Sequence, residues 1–423
     1  MKYHNPIITG FHPDPSVCRV GNDFYLVNSS FEYFPGIPIY HSTDLTHWEQ
    51  IGHVLDRKNQ LKLVSGAPNC LGIYAPTIRY HEGIFYCIVT NVGGRSGGNF
   101  FVYTTDPYGR WSNPVKLPFA GIDPSLFFDE DGRIYYTGTD TGIYIAEITF
   151  DVVRNDTPKR NELPVSIQNV KCGEKHYIWN GSGGNNPEGP HLYRIHDMYY
   201  LMIAEGGTEY CHMVTIARSK NVYGPYEACP HNPVLSNRST CLNIKAVGHA
   251  DLVEDSQGSW WAVCLGIRPL GYPFRHNLGR ETMLAPVKWE NGWPVMGDNG
   301  TVTETFEVET APGKKTRKSD FYIPGSNMTD TFCSNKLHPS WNTIYTPVSK
   351  FVKPTKQGLS LCAYDTTLSD DKPKAILVRR QEHFHFTATA TLTLESVNAG
   401  SEAGITIYMN NRHCLLYTSP SPR

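Results

Sequence analysis

The sequence predicts an all-β protein: a five-bladed β-propeller followed by a C-terminal β-sandwich that stops short of completion. Three observations point there. A two-strand pattern recurs five times along the chain. Gly, Pro and Tyr number 37, 30 and 25, a balance that favours turns and strands over long helices. The 423 residues exceed what one compact core usually serves, so a second, smaller domain is expected.

Each copy opens with a polar or small residue and a short apolar strand, turns at Gly, Asp or Asn, and returns as an aromatic-rich strand. The first reads Asp14-Pro15-Ser16-Val17 with Asp23-Phe24-Tyr25-Leu26-Val27, and the second Ala75-Pro76-Thr77-Ile78 with Gly83-Ile84-Phe85-Tyr86. Asp123-Pro124-Ser125-Leu126 with Gly132-Arg133-Ile134-Tyr135-Tyr136 is the third, and Glu188-Gly189-Pro190-His191-Leu192 with Met198-Tyr199-Tyr200-Leu201 the fourth. Ala250-Asp251-Leu252-Val253 with Trp260-Trp261-Ala262-Val263 completes the set. Openings at residues 14, 75, 123, 188 and 250 leave room for four short strands and a variable loop per copy. Trp48 and Trp111 follow the third strands of the first two copies at matching offsets. Such strands hide one face only against neighbours, and a ring around a central channel buries them all, which favours a propeller over a solenoid.

The propeller is expected over residues 1–300. Residues 301–325 are polar, with Lys314-Lys315-Thr316-Arg317-Lys318, and read as a linker. Over 326–423, strand signals at Asp330-Thr331-Phe332, Trp341-Asn342-Thr343, Gly358-Leu359-Ser360-Leu361, Ile376-Leu377-Val378, Phe384–Thr389 and Glu402–Tyr408 predict a partial sandwich. The last residues, Tyr417 to Arg423, lack strand logic and read as a foreign or disordered tail.

Composition removes whole classes of function. Lys plus Arg at 38 against Asp plus Glu at 40 leaves a formal charge of -2, with no surplus positive field to hold nucleic acid or an anionic membrane. No apolar run approaches the roughly 18 to 20 residues of a membrane helix, and Met1-Lys2-Tyr3-His4-Asn5 starts no signal peptide, so a cytoplasmic protein is expected. The 11 cysteines are odd in number and never form Cys-x-x-Cys. Buried thiols are expected, not a disulfide frame or a zinc site.

In a ring, the first strand of every blade begins near the axis, so Asp14, Asp123 and Glu188 are expected to meet at one mouth of the channel. An Asp-Pro pair capping a turn explains one such residue; three at equivalent positions require chemistry. Facing carboxyls are the minimum apparatus for cleaving a glycosidic bond, one protonating the leaving oxygen and one activating water. The acid must stay protonated near neutral pH, which burial or a neighbouring anion achieves. Phe31, Phe34, Tyr74 and Trp179 supply flat faces for sugar rings at the same mouth.

The segments His12-Pro13-Asp14-Pro15-Ser16, Tyr74-Ala75-Pro76-Thr77-Ile78, Gly121-Ile122-Asp123-Pro124-Ser125, Asn186-Pro187-Glu188-Gly189-Pro190 and Gly279-Arg280-Glu281-Thr282, in this order, resemble glycoside hydrolase family 43, and within it the beta-xylosidase and alpha-L-arabinofuranosidase branch. The resemblance implies an inverting exo-glycosidase acting on short xylo- or arabino-oligosaccharides, with xylosidase activity favoured. Asp14 would be the general base and Glu188 the general acid. Asp123 would tune the acid and hold substrate, while Arg280 would bind a sugar hydroxyl and steady Asp123. Phe31, Tyr74 and Ala75 would line the pocket, Tyr74 standing where many relatives carry Trp. Thr208 and His249 join as further substrate-binding candidates. No cofactor is required on this reading; a calcium ion in the channel near His249 and a homo-oligomer are both left open. Inversion places the Asp14 and Glu188 carboxyls about 6.5 to 9.5 Å apart. A carbohydrate-binding propeller without turnover would need a broken acid, base or Arg280, and none is broken.

Overall fold

The computed structural model describes residues 2–63, 69–93, 97–159, 162–308, 321–334, 336–347, 351–394 and 402–418. Five antiparallel sheets follow one another along the chain. The first blade is Ser16–Val20, Asp23–Val27, Gly36–Ser42 and Glu49–Leu55. Thr77–His81, Ile84–Val92, Gly98–Thr104 and Val115–Lys116 form the second, with Gly72–Ile73 also paired to Ile84–Val92. The third contains Ile122–Phe128, Ile134–Thr139, Ile143–Arg154 and Val165–Cys172, and His176–Trp179 pairs to Ile143–Arg154 beside it. Glu188–Ile195, Met198–Glu205, Met213–Ser219 and Glu227–Ala228 make the fourth; Lys245–Glu254, Trp260–Ile267, Glu281–Glu290 and Trp293–Met296 make the fifth.

Middle strands lie between two neighbouring blades, so they read as continuous apolar runs instead of alternating ones. Ile84 to Asn91 is buried throughout, and Trp48 and Trp111 are both buried in the core, as their matching offsets predict. The ring is fastened at its start. Lys2–His4 pairs with Thr305–Glu307, Ile8 bridges Thr282, and Asn5 Nδ2 donates to Leu284 O at 2.9 Å. The region read as a linker therefore opens with a strand of the closure; Lys314 to Lys318 lies outside the described residues, as do residues 419–423 of the expected tail, whereas Tyr417 and Thr418 are not tail but the end of strand His413–Thr418, because Ile405 and Gly404 give them partner backbone.

A polar network fills the axis and takes a residue from every blade. Arg79 of the second blade pairs with Asp251 of the fifth, at 2.7 Å and 3.1 Å from its two terminal nitrogens. Ser16 of the first blade (2.6 Å) and Tyr193 of the fourth (2.6 Å) also donate to the Asp251 carboxylate. Arg79 reaches His191 of the fourth at 3.0 Å, and His191 in turn meets Ser125 of the third at 3.1 Å.

The C-terminal part is all-β as expected and leans on the first blade: Thr343–Ile344 pairs with Tyr33–Phe34, and Tyr345 N donates to Glu32 O at 2.8 Å. Val352–Thr355 pairs with Gly358–Leu361, and Gly404–Asn410 with His413–Thr418. Three strand expectations fail among the described residues. Asp330–Phe332 and Phe384–Thr389 carry no ladder, and Val378 makes only an isolated bridge, to Asn342. Alternation makes a chain extended, but a strand also needs a partner backbone, and Phe386, Leu392 and Leu394 stay exposed. Cys18, Cys87, Cys229 and Cys264 are buried thiols as expected, whereas Cys70, Cys211, Cys241, Cys333, Cys362 and Cys414 are exposed, because they fall on loops and outer strands. Among the described residues, no helix is long and apolar enough to cross a membrane.

Candidate active site

The opening of the innermost strand is irregular where the carboxylates stand. Pairing slips between Ile122 and Ser125, between Glu188 and His191, and twice between Lys245 and Asp251. Bulges of this kind re-aim a side chain. Asp14, Asp123 and His249 accordingly hold φ of 52, 52 and 47°, and Phe31 holds 46°. Left-handed backbone costs a non-glycine residue of order 1 kcal/mol or more, a cost the surrounding blades sustain to keep these side chains aimed at the mouth.

Asp123, Glu188 and His249 each bring one polar atom within 4.8 Å of the others. Gly189 makes that approach feasible: at φ 61° its amide donates to Asp123 Oδ2 at 3.2 Å, and a Cβ there would sit 3.0 Å from His249 Cε1. Asp14 is buried too, and Arg280 Nη1 bonds its Oδ1 at 2.9 Å while Ser29 donates to Oδ2. Arg280 thus steadies Asp14, not Asp123 as expected; the chain delivers it from the fifth blade beside the first, where Asp14 stands. Its guanidinium lies 5.4 Å from the Phe31 ring and 5.9 Å from that of Phe11. Phe31 packs on Tyr74 at 5.5 Å, next to buried Ala75. Thr208 is a hydrogen-bond partner of Glu188. Phe34 instead packs into the core around Val27 and Ile37, and Trp179 lines a cavity of about 340 Å³ with Tyr177 and Asn180.

One arginine among three carboxyls divides their charge states. Burial opposes ionisation of Asp14, but the Arg280 guanidinium first, with the Ser29 hydroxyl, holds its carboxyl below the ordinary aspartate range. Burial first, then the Asp14 charge, push Glu188 up to about 7. Burial and the Glu188 and Asp14 charges push Asp123 well up too. Asp123 is therefore not the simple anion beside the acid that the sequence suggested: two carboxyls this close share a proton. His249 and His212 are kept neutral by burial, His212 down to about 4.

Sequence reasoning missed Phe11, Ser29 and the support behind Glu188. Glu205, fully buried, accepts from the amides of Ser182 and Gly184 (2.7 Å) and from Thr215 Oγ1 (2.9 Å), fixing the loop that leads to Glu188. The run Glu205-Gly206-Gly207-Thr208 is the only hint in the chain. Glu205→Gln turns one acceptor into a donor facing an amide, and is expected to lower the unfolding free energy by about 1–3 kcal/mol in urea titration. An unchanged midpoint would remove Glu205 from this role.

Calcium takes 6–8 oxygen ligands, and among the described residues the group with metal-ligand spacing, Asp123, Glu188 and His249, offers two carboxylates and one ring nitrogen. On the axis the Asp251 carboxylate is already taken by Arg79, Ser16 and Tyr193. At the mouth, an ion bound by Asp123, Glu188 and His249 would strip Glu188 of its proton.

A propeller whose channel mouth pairs an ionised aspartate with a protonated glutamate is the apparatus of a glycoside-cleaving enzyme. Known proteins agree. Residues 3–294 match glycosyl hydrolases family 43, and residues 329–419 match the beta xylosidase C-terminal concanavalin A-like domain. The chain belongs to glycoside hydrolase family 43. It is 42% identical over 420 residues to the non-reducing end alpha-L-arabinofuranosidase of Bacteroides ovatus, a match covering 97% of this chain and 74% of that one. The beta-xylosidase of Bacillus subtilis is 34% identical over 435 residues, with 98% and 78% covered. A solved family-43 structure from a capybara gut metagenome matches with a TM-score of 0.83 at 35% identity, covering 100% of this chain and 79% of that one.

Proposed function

We propose that the protein is an inverting exo-glycosidase that removes terminal xylosyl or arabinofuranosyl units from short hemicellulose-derived oligosaccharides, xylosides being favoured, and that it needs no metal. One observation supports this above the rest: Glu188 is held protonated up to about 7 at the same mouth where Asp14 is held ionised.

On this reading each group has one task. Asp14, aligned by Arg280 and Ser29, takes a proton from water as the water oxygen bonds to the anomeric carbon. Glu188 gives its proton to the glycosidic oxygen as the carbon–oxygen bond breaks. The sugar leaves with inverted configuration; Asp14 ends protonated, Glu188 ionised, and exchange with solvent resets both. The rings of Phe31 and Tyr74 offer apolar faces to the sugar, and Thr208 orients the acid. The test is release of p-nitrophenol from the xyloside and the arabinofuranoside, with the first-formed anomer read by NMR. Retention of configuration, or no release from either, rejects the proposal.

The same charge states fix the pH profile. Glu188 must carry its proton, so kcat/KM is expected to fall as pH rises through about 7. Asp14 must be ionised, and its lowered pKa puts the acid limb below the ordinary aspartate value. In Glu188→Gln the alkaline limb should disappear on an activated aryl substrate; its survival assigns that limb elsewhere.

A further inference from the structure

The arginine that holds Asp14 stands next to an acid in the chain, yet the two are not partners. Arg280 bonds Asp14 Oδ1 at 2.9 Å, whereas the following residue, Glu281, is fully buried and pairs with Arg268. Glu281 Oε2 accepts from Arg268 Nε at 2.7 Å; Oε1 accepts from Arg268 Nη2 at 2.8 Å and from the amide of Gly10 at 2.9 Å. Arg268 follows strand Trp260–Ile267 and Glu281 opens the strand beside it, Glu281–Glu290. One carboxylate thus ties two strands of the fifth blade to the segment that leads into Asp14.

Residues 8–12 and 280–282 are joined along their length. Ile8 bridges Thr282, His12 N donates to Arg280 O at 2.9 Å, and Thr282 Oγ1 donates to His12 O at 2.8 Å. Two glycines in left-handed backbone make the approach feasible. A Cβ on Gly279 (φ 79°) would sit 2.5 Å from the Phe11 ring, and one on Gly10 (φ 84°) 2.5 Å from Gln381 O. The C-terminal part covers the outside, with Arg380 Nε donating to Phe11 O at 2.6 Å and the Phe384 ring 5.0 Å from the Arg268 guanidinium. A carboxylate so enclosed is sustained only by a partner charge in good geometry. Arg268 supplies it in two prongs, which leaves Arg280 to Asp14.

We propose that Glu281, paired with Arg268, is a positioning residue for the catalytic base: it fixes residues 280–282 against residues 8–12 and so sets the distance between Arg280 and Asp14. This rests on the reading of Asp14 as the base that activates water. The other groups that act on Asp14 are Ser29, His249, His212, Asp123 and Glu188. Both histidines are neutral and Ser29 gives a hydrogen bond, so Arg280 is the cation that keeps Asp14 ionised. When the Glu281 pair is broken, Arg280 loosens and the Asp14 carboxyl titrates closer to an ordinary aspartate.

The test is the pH profile of p-nitrophenyl glycoside hydrolysis. In Glu281→Gln, which keeps the side chain's size and removes its charge, kcat is expected to fall about tenfold with KM changed less than about twofold, and the acid limb of kcat/KM to move up by about one pH unit. Arg268→Lys keeps the charge but loses the two-pronged grip, and should move the limb the same way by less. In an Arg280→Gln background, Glu281→Gln should move it no further, since both act through one guanidinium. A purely structural role would lower the urea midpoint and leave the limb in place. A limb unmoved in Glu281→Gln, or in Arg268→Lys where the first does not fold, overturns the proposal. Turnover surviving Asp14→Ala would instead sink the reading of Asp14 as base. Carbon-13 NMR titration of the Asp14 carboxyl then decides the positioning role separately: an upward shift of about one unit in Glu281→Gln sustains it, and an unchanged titration ends it.

Discussion

Replacing Asp14 with alanine is expected to lower kcat by about 10²–10⁴ on every glycoside tested, activated or not, because general-base catalysis contributes on this scale. Water attack is common to all substrates, so the loss should not depend on the leaving group. Glu188→Ala should behave differently: unactivated oligosaccharides lose turnover on the same scale, whereas p-nitrophenyl glycosides, whose phenolate departs without a proton, lose far less. The contrast distinguishes the two carboxyls without any structural probe. Substantial turnover in Asp14→Ala would dismiss Asp14 as base, and equal losses across substrates in Glu188→Ala would dismiss Glu188 as acid. Because Asp14→Ala also leaves Arg280 without its partner, Asp14→Asn serves as the control, keeping the size of the side chain while removing its charge.

The second large effect concerns stability. Arg79→Ala leaves the Asp251 carboxylate, fully buried and held well below the ordinary aspartate range first by Arg79, without its counter-charge. Breaking such a pair from one side costs about 3–5 kcal/mol, a large fraction of what a domain has. In urea unfolding, Arg79→Ala should lose that amount, and Arg79→Ala/Asp251→Ala less than the two single substitutions summed, because they share one network. A loss under about 1 kcal/mol would reduce the axis to passive filling. With the axial charge supplied by a side chain, a chelator should leave the melting temperature and kcat of the unaltered protein unchanged.

The blades were legible because each copy repeats the same order of polar or small residue, short apolar strand, turn and aromatic strand, and every copy faces the same burial problem. Asp14 and Asp123 were legible through their shared Asp-Pro-Ser, and Glu188 through its equivalent place in the fourth copy. Arg280 was found but given the wrong neighbour, since no periodicity tells which blade closes against which. Phe11, Ser29 and Glu205 carried no motif, because their roles consist of contacts with residues distant in the chain, such as Phe31 and Arg280 for Phe11. The C-terminal strands were read too generously: alternation at Phe384–Thr389 marks an extended chain, and pairing depends on what lies beside it.

By itself, then, the order of amino acids determined the architecture and the identity of the three carboxyls, because local hydrophobic patterning and turn chemistry act over a few residues and repeat. Only the folded ring decided which carboxyl is charged. Ionisation depends on burial and on the distance to a single arginine, and Arg280 comes to rest on Asp14, 266 positions away in the chain, leaving Asp123 and Glu188 to share a proton.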